Sequence, residues 1–359
     1  MKFTISTLTP IHIGSGGKYS AAEFLVNGNQ LYRVDINKLF GLLDERSKEE
    51  FIIQLEDPYF QLGSFLKGKN IERSKIRLYS CNLKAGFPPE INEHVKTNGG
   101  AFIPGSSIKG SIKTAILYNL IEEKDIHRIS EMFDLKYWQR DKEIQKFVDS
   151  FFSGKTKKPS SYSSFLRFLQ ITDTNTISNV SVYSIKVANV ERGGGVTWYK
   201  RRGREVTLFN ETIDVNENLG VEISEHYNPN IYKDLRLGEK ERLINLDKII
   251  EDVYIFSADL IEHELEFAEK YHMDFLKNFY EQLKSKNTKD SPLLRLGHGS
   301  GYLATTIGLK LKRYPNVFEK VRRSLRGKSY PYEFPKTRKI VFENGKPSYP
   351  LGWVKIYRK

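Results

Sequence analysis

The chain has 359 residues, 39% of them hydrophobic and 28% charged, enough for two ordinary domains and with no run near the ~20 apolar residues of a membrane span. A single cysteine, Cys81, excludes an intrachain disulfide and a cysteine-rich zinc site and points to an intracellular, cytoplasmic setting. The net charge of +13 is unevenly placed, since residues 310–359 hold 15 Lys/Arg against only Glu319, Glu333 and Glu343, a concentration that suggests a surface facing a polyanion.

Residues 3–13 alternate as a strand, and "GSGGKYS" at 14–20 follows as a glycine loop. "EFLVNGNQLYRV" reads as a hairpin turning at Asn27-Gly28-Asn29, and Asp35 as the N-cap of the helix "INKLFGLL". Residues 47–68 and 106–152 are mostly helical, with a strand at "KIRLYSCNL" between them. Strands return at "FLQITDTN" and "VSVYSIKVANVER", and Gly193-Gly194-Gly195 reads as a linker. "VTWYKRRGREVTLFNETI" predicts a basic, aromatic hairpin, "LGVEISEHY" a strand, and residues 239–286 long helices. A second glycine passage, "LLRLGHGSGYLATTIGLKL", precedes the basic tail, which ends in strands around "KIVFENG" and "GWVKIYRK". The order predicts an α+β fold of two units, each an antiparallel sheet with helices on one face. The first covers residues 1–195 with a helical insertion at about 115–165. The second covers 196–359 with a helical segment at about 239–290 and the basic C-terminal region.

In "FIPGSSIKGSIKTAI", Gly105 and Gly110 have the spacing of a nucleotide-binding P-loop, but Ser111 stands where the lysine belongs. Pro104-Gly105 makes a turn, and Ser106 or Ser107 can cap the helix that follows. Ile108, Ile112, Ala115 and Ile116 repeat at core spacing, with Lys109 and Lys113 on the adjacent face. Free N–H groups, hydroxyls and ammoniums gather here, and Gly110 leaves room for a ligand backbone. That combination suits a nucleic-acid phosphate better than a nucleoside triphosphate. Arg295, Gly297, His298, Gly299, Ser300, Gly301 and Tyr302 form a similar loop, and His12, Gly14 and Gly16 another beside the first strand. In "ERGGGVTWYKRRGRE", Trp198 and Tyr199 lie among Arg192, Lys200 and Arg201, the mixture that stacks on bases and pairs with phosphates of an unpaired strand. No histidine pair has metal-ligand spacing, "HELEF" lacks a second histidine, and neither G-x-S-x-G nor an acidic pair occurs. No catalytic residue, metal or cofactor is expected; His12 and His298 are the only candidates for acid–base chemistry on RNA.

"FIPGSSIKGSIKTAI", "RLGHGSGYLATTIG", the closing "PLGW" and the opening "TPIHIGSGG" resemble the RAMP proteins of CRISPR effector complexes. Their order is most similar to the family of fifth subunits of the type III-A (Csm) complex, which cap its filament. The resemblance implies two ferredoxin-like (RRM-like) domains and a CRISPR guide RNA gripped by Ser106–Lys113. It also implies the backbone RAMP subunit and other Csm subunits as partners. It further implies a non-catalytic place near the guide's 3′ end, and support of 3′ maturation by recruited host nucleases in antiviral defence. The sibling backbone subunit cleaves with an aspartate in an N-terminal loop, and the corresponding "GSGGKYSAAEF" holds none. The alternative is a metal-independent RAMP endoribonuclease that processes the CRISPR transcript.

Overall fold

A computed structural model describes residues 1–156, 160–226 and 228–359. Residues 157–159 of the expected helical insertion, and Tyr227 at the end of "LGVEISEHY", lie outside the described residues. The α+β class holds. One antiparallel sheet runs Leu293–Arg295, Trp353–Arg358, Lys2–Thr7, Asn218–Glu225, Leu169–Ile171. Alternation within these strands sends Phe3, Ile5, Leu219, Val221, Ile223, Val354 and Ile356 into the core. The helices Gly105–Leu120 and Leu246–Lys270 pack against each other, and their apolar stripes, Ile108, Ile112 and Ile116 on one and Ile249, Val253, Phe256 and Leu260 on the other, join the same core. In chain order this is strand, helix, strand, strand, helix, strand, strand; with the short edge strand Leu293–Arg295 set aside, the first strand lies beside the last in a ferredoxin-like arrangement.

The second sheet has ten strands and branches at Val180–Val190. That strand pairs with Thr207–Ile213 along one edge and with Thr337–Glu343 and the end of Arg77–Leu83 along the other. Both sheets therefore draw strands from both sides of residue 195, and one hydrophobic cluster runs from Phe3 to Ile356. Gly193–Gly195 is the turn of a hairpin inside the sheet, with Val190 opposite Val196 and Glu191 N–H donating to Gly195 O at 2.8 Å. The glycine run at 14–20 is likewise a strand, paired with Glu90–His94 through a bulge in which Gly16 takes φ +89°. Helices Glu123–Met132 and Tyr137–Phe152 follow the first core helix, and Asp274–Lys286 follows the second.

Glu211, on the strand Thr207–Ile213, is fully buried. Its Oε1 accepts from Tyr19 Oη at 2.6 Å and Tyr79 Oη at 2.8 Å, while Oε2 accepts from His94 N–H at 3.0 Å and from Lys96 Nζ. Its backbone carbonyl accepts from His12 Nδ1 at 2.6 Å. Burial pushes the carboxyl up, but Lys96 and the surrounding donors outweigh it and hold the group ionised. His94 completes the junction: Ile13 N–H donates to its Nδ1 at 3.2 Å, so Nε2 carries the proton and donates to Phe102 O at 3.1 Å. Burial holds this imidazole down at about 4.

Two expectations follow from this junction. Glu211→Gln keeps the shape but strands the Lys96 ammonium, and should lower the urea-unfolding free energy by about 3–5 kcal/mol; adding Lys96→Met should recover much of the loss. An equal loss in the double variant would mean that the pairing with Lys96 is not what the charge serves. The unfolded chain protonates His94 near its ordinary 6.5, whereas the native chain does so only at about 4. Stability present above that upper limit is thus lost as pH falls between the two. His94→Gln can keep both hydrogen bonds without titrating, so its melting temperature should fall less steeply on acidification. An unchanged slope would contradict the assignment.

Candidate nucleic-acid interface

The helix Gly105–Leu120 begins two residues earlier than a Ser106 cap would allow. Pro104 is its N-cap, and Ser106 and Ser107 lie inside the first turn. The end is satisfied from elsewhere: Asp173 Oδ1 accepts from Gly105 N–H at 2.8 Å. Gly105 is required there because a Cβ would sit 2.3 Å from Ile171 O. Gly110 is different, exposed and with nothing within 4 Å of an added Cβ. Ser106 is exposed and Ser107 half-buried beside it. The lysines fold back onto the protein: Lys109 Nζ donates to Leu169 O at 2.7 Å and is partly desolvated, which lowers its pKa, and Lys113 Nζ sits 5.0 Å from the Phe152 ring centroid. Their charge faces this surface, but neither ammonium is a bare arm.

The three glycine motifs converge. Gly297, at φ +72°, places its α-carbon where a Cβ would meet His12 O at 2.3 Å, and His298 N–H donates to the same oxygen at 2.8 Å. Ser111 Oγ reaches Arg295 O at 3.5 Å, and the short helix Tyr302–Thr305 packs on Gly105–Leu120. Arg295 is 5% exposed, its guanidinium bonded to Leu351 O and Gly299 O and set over the Trp353 ring. Ser300 is 3% exposed and donates to Gly297 O. Both were expected to face RNA and instead shape the loop. Gly299 packs on Leu351, whereas Gly301 opens onto solvent with Tyr302 half-buried next to it.

Histidines that show no spacing in the chain meet in space, with ring centroids of His12 and His94 6.0 Å apart and of His12 and His298 5.6 Å apart. His12 is 4% exposed, and burial lowers its pKa. His298 is half-buried and held at about 4 by burial, then by Lys339 and His12. Asn210 Nδ2 meets its Nδ1 at 3.2 Å, and Lys339 Nζ meets its Nε2. The cluster is neutral at physiological pH, and among the described residues no group of three side chains could hold a metal ion. Lys339, counted in the sequence only as part of the basic tail, joins Asn210 in tying this loop to the second sheet.

The basic hairpin protrudes. Lys200–Arg201 pairs with Arg204–Glu205 around Arg202-Gly203, whose positive φ values of 51° and 80° fit the two-residue turn. Lys200, Arg201, Arg202 and Arg204 are exposed, and among the described residues none has an ion-pair partner. Tyr199 is 44% exposed, Arg192 is exposed in the preceding turn, and Trp198 packs at 4.8 Å on Phe342, so only Tyr199 offers a free aromatic face. The tail behaves otherwise. Arg313, Lys320, Arg338 and Arg358 pair with Asp259, Asp134, Glu264 and Asp247, and Arg322 and Arg323 share Glu319. With Lys312 on Glu333 these are seven of the segment's 15 cations, so its charge is concentrated in sequence and compensated only in part in space.

Comparison with known proteins agrees with this geometry. The RAMP superfamily model matches residues 4–303. The chain is similar to a Methanocaldococcus jannaschii protein named CRISPR system Cms protein Csm5, with 24% identity across 99% of this chain and 88% of that one. A Streptococcus thermophilus protein of the same name is 32% identical over 32% of this chain and 37% of its own length. A chain in a cryo-EM structure of a Csm-crRNA-target RNA ternary complex of a type III-A CRISPR-Cas system superposes with a TM-score of 0.71 at 23% identity, covering 99% of this chain and 100% of that one. The crystal structure of T. onnurineus Csm5 gives 0.65 at 20% identity over 98% and 99%. Among the described residues no helix is long and apolar enough to cross a membrane. The family resemblance carried by the glycine motifs thus extends through most of the chain, which belongs to the RAMP superfamily.

Proposed function

We propose that the chain is the non-catalytic, filament-capping RNA-binding subunit of a type III-A Csm effector complex. In this reading it binds CRISPR RNA near the guide's 3′ end, beside the backbone RAMP subunit, and supports 3′ maturation by nucleases it recruits. The observation that carries it is similarity along essentially the whole chain to a Csm5-named relative, joined to an exposed cationic hairpin whose cations have no ion-pair partner among the described residues and an open helix surface at Gly110. Phosphates would lie along Ser106, Ser107 and Gly110, with bases against Tyr199 and backbone against Lys200 and Arg201. Tagged protein from its native cells should bring down a ladder of guide RNAs with partner subunits. Recovery free of RNA and of other complex subunits would refute the reading.

Three further outcomes are expected. Gly110→Ala meets empty space and favours the helix by up to ~1 kcal/mol, so the melting temperature should hold or rise while guide RNA is lost from the assembled complex; full retention of RNA would remove the glycine from the interface. Replacing Lys200, Arg201, Arg202 and Arg204 by alanine should flatten the dependence of log K on log salt by roughly 0.7 for each phosphate of a single strand that is no longer neutralised, and an unaltered slope would place the RNA elsewhere. The purified chain should not cleave guide or target RNA with or without magnesium. Cleavage abolished by His298→Ala would instead favour the endoribonuclease.

A further inference from the structure

The helix Tyr137–Phe152 touches the candidate interface at one end only. Its last residue, Phe152, carries the Lys113 ammonium 5.0 Å from its ring centroid. Its other end, about 21 Å away at 1.5 Å per residue, presents Tyr137 and Trp138, each 68% exposed. Tryptophan is buried more thoroughly than most residues, and the rest of the chain follows that habit. Of the three tryptophans, Trp353 is fully buried and Trp198 is half-buried against Phe342. Trp138 alone holds an indole out to solvent.

The surroundings of these rings are cationic. Lys136 Nζ lies 5.4 Å from the Trp138 ring centroid, and Lys142 stands one turn along the same helix face. Both lysines are exposed, and the carboxylates nearby are taken by others: Asp134 by Lys320, Asp141 by Arg140 and Glu143 by Lys146. Among the described residues neither Lys136 nor Lys142 has an ion-pair partner. Arg140 holds the platform in place. Its guanidinium sits 5.1 Å from the Tyr137 ring centroid, and its Nη1 donates to Ser324 Oγ. Ser324 belongs to the helix Pro315–Arg326, which carries four cations against Glu319.

Free aromatic faces beside unpaired ammoniums are what holds an unpaired nucleic-acid strand. A duplex keeps its base faces stacked on one another and cannot use them. The apolar core of a protein interface needs a wider patch, whereas here Leu135 is the one further exposed large apolar residue of the stretch and Gln139, Asp141 and Lys142 surround the rings. We propose that Trp138 and Tyr137 form a second, separate stacking platform for single-stranded RNA, its phosphates drawn to Lys136 and Lys142. This inference rests on the RNA-binding function proposed above and extends the path of the strand beyond the glycine loops.

Tryptophan emission of the full-length chain, titrated with a short single-stranded oligoadenylate, tests it. The strand should quench wild type saturably, and an RNA duplex of the same length should not. Trp138→Phe should abolish most of the quench and keep affinity within about threefold, since the ring still stacks. Trp138→Ala should weaken binding by about fivefold or more. Lys136→Ala combined with Lys142→Ala should weaken it as well while leaving the quench at saturation. All these positions are exposed, so melting temperatures should not change. Wild-type quenching in Trp138→Phe overturns the proposal, as does wild-type affinity in Trp138→Ala. Such unaltered affinity together with loss of partner subunits from the assembled complex assigns the face to a protein instead. If wild type binds RNA without quenching, this platform alone falls; if it binds no RNA, the proposed function falls with it.

Discussion

The carboxylate of Glu211 is the point on which the arrangement of the interface depends. An ionised group with no exposure persists only if its partners replace the water it lost, and here the partners come from five places in the chain: Tyr19, Tyr79, His94, Lys96 and, through the backbone carbonyl, His12. Tyr19, Tyr79 and His94 tie three strands of the second sheet to Thr207–Ile213, Lys96 ties in the separate two-stranded sheet Lys96–Thr97/Gly100–Ala101, and His12 the loop after the first strand. Because His12 and His94 also hold Ile13 and the start of the bulged strand, the same junction sets where the first glycine motif meets Gly297. The hydrophobic core alone would tolerate slippage between such strands. A directional, buried polar network restricts it to one register.

The glycines divide into two populations with different reasons to exist. Gly105, Gly297 and Gly352 each bring a backbone carbonyl within 2.3 Å of where a Cβ would be, so any side chain would pry two segments apart. They are packing residues, and they join the helix Gly105–Leu120 and the 297–301 loop to the rest of the fold. Gly110 and Gly301 face open space. For Gly301 the φ of +83° is reason enough, whereas Gly110 is helical, where glycine is unfavourable relative to alanine. A residue that weakens its own helix without relieving a contact is best understood through something that approaches from outside.

Much of this was legible in the chain. The hairpin at Asn27-Gly28-Asn29, the Asp35 cap and the apolar stripe Ile108–Ile112–Ile116 depend on neighbours a few residues apart, and they appear as the local rules require. The resemblance of the glycine motifs identified the superfamily. What could not be read was anything set by distant pairing. Gly193–Gly195 has the composition of a linker but closes a hairpin, because the flanking strands belong to one sheet. Ser106 has the right type for a cap, but Asp173, 68 residues beyond Gly105, supplies the acceptor for the Gly105 N–H. Arg295 and Ser300 sit in a loop that looks exposed in sequence, and turn inward because Leu351, Gly299 and Gly297 offer carbonyls there.

Charge gives the sharpest example of that limit. Counting along the chain placed the cationic surface in the last fifty residues, yet Arg338 lies in the core against Glu264, and other cations of that segment are matched by Asp134, Asp247 and Asp259 from remote helices and loops. The hairpin at 200–205 carries fewer charges; its carboxylate, Glu205, is taken by Lys186, its cations have no ion-pair partner among the described residues, and its turn holds them away from the sheet. Counterion release depends on charge that is uncompensated before the nucleic acid arrives. An ammonium already paired must give up a carboxylate to take a phosphate and gains little, whereas a free guanidinium on a rigid turn exchanges only water and salt. The short, protruding β-turn therefore adds four cations free of ion pairs to those the basic segment leaves unpaired, and it lies one strand away from the glycine loops, since Tyr199 N–H donates to Val187 O and Val187 pairs with Lys339.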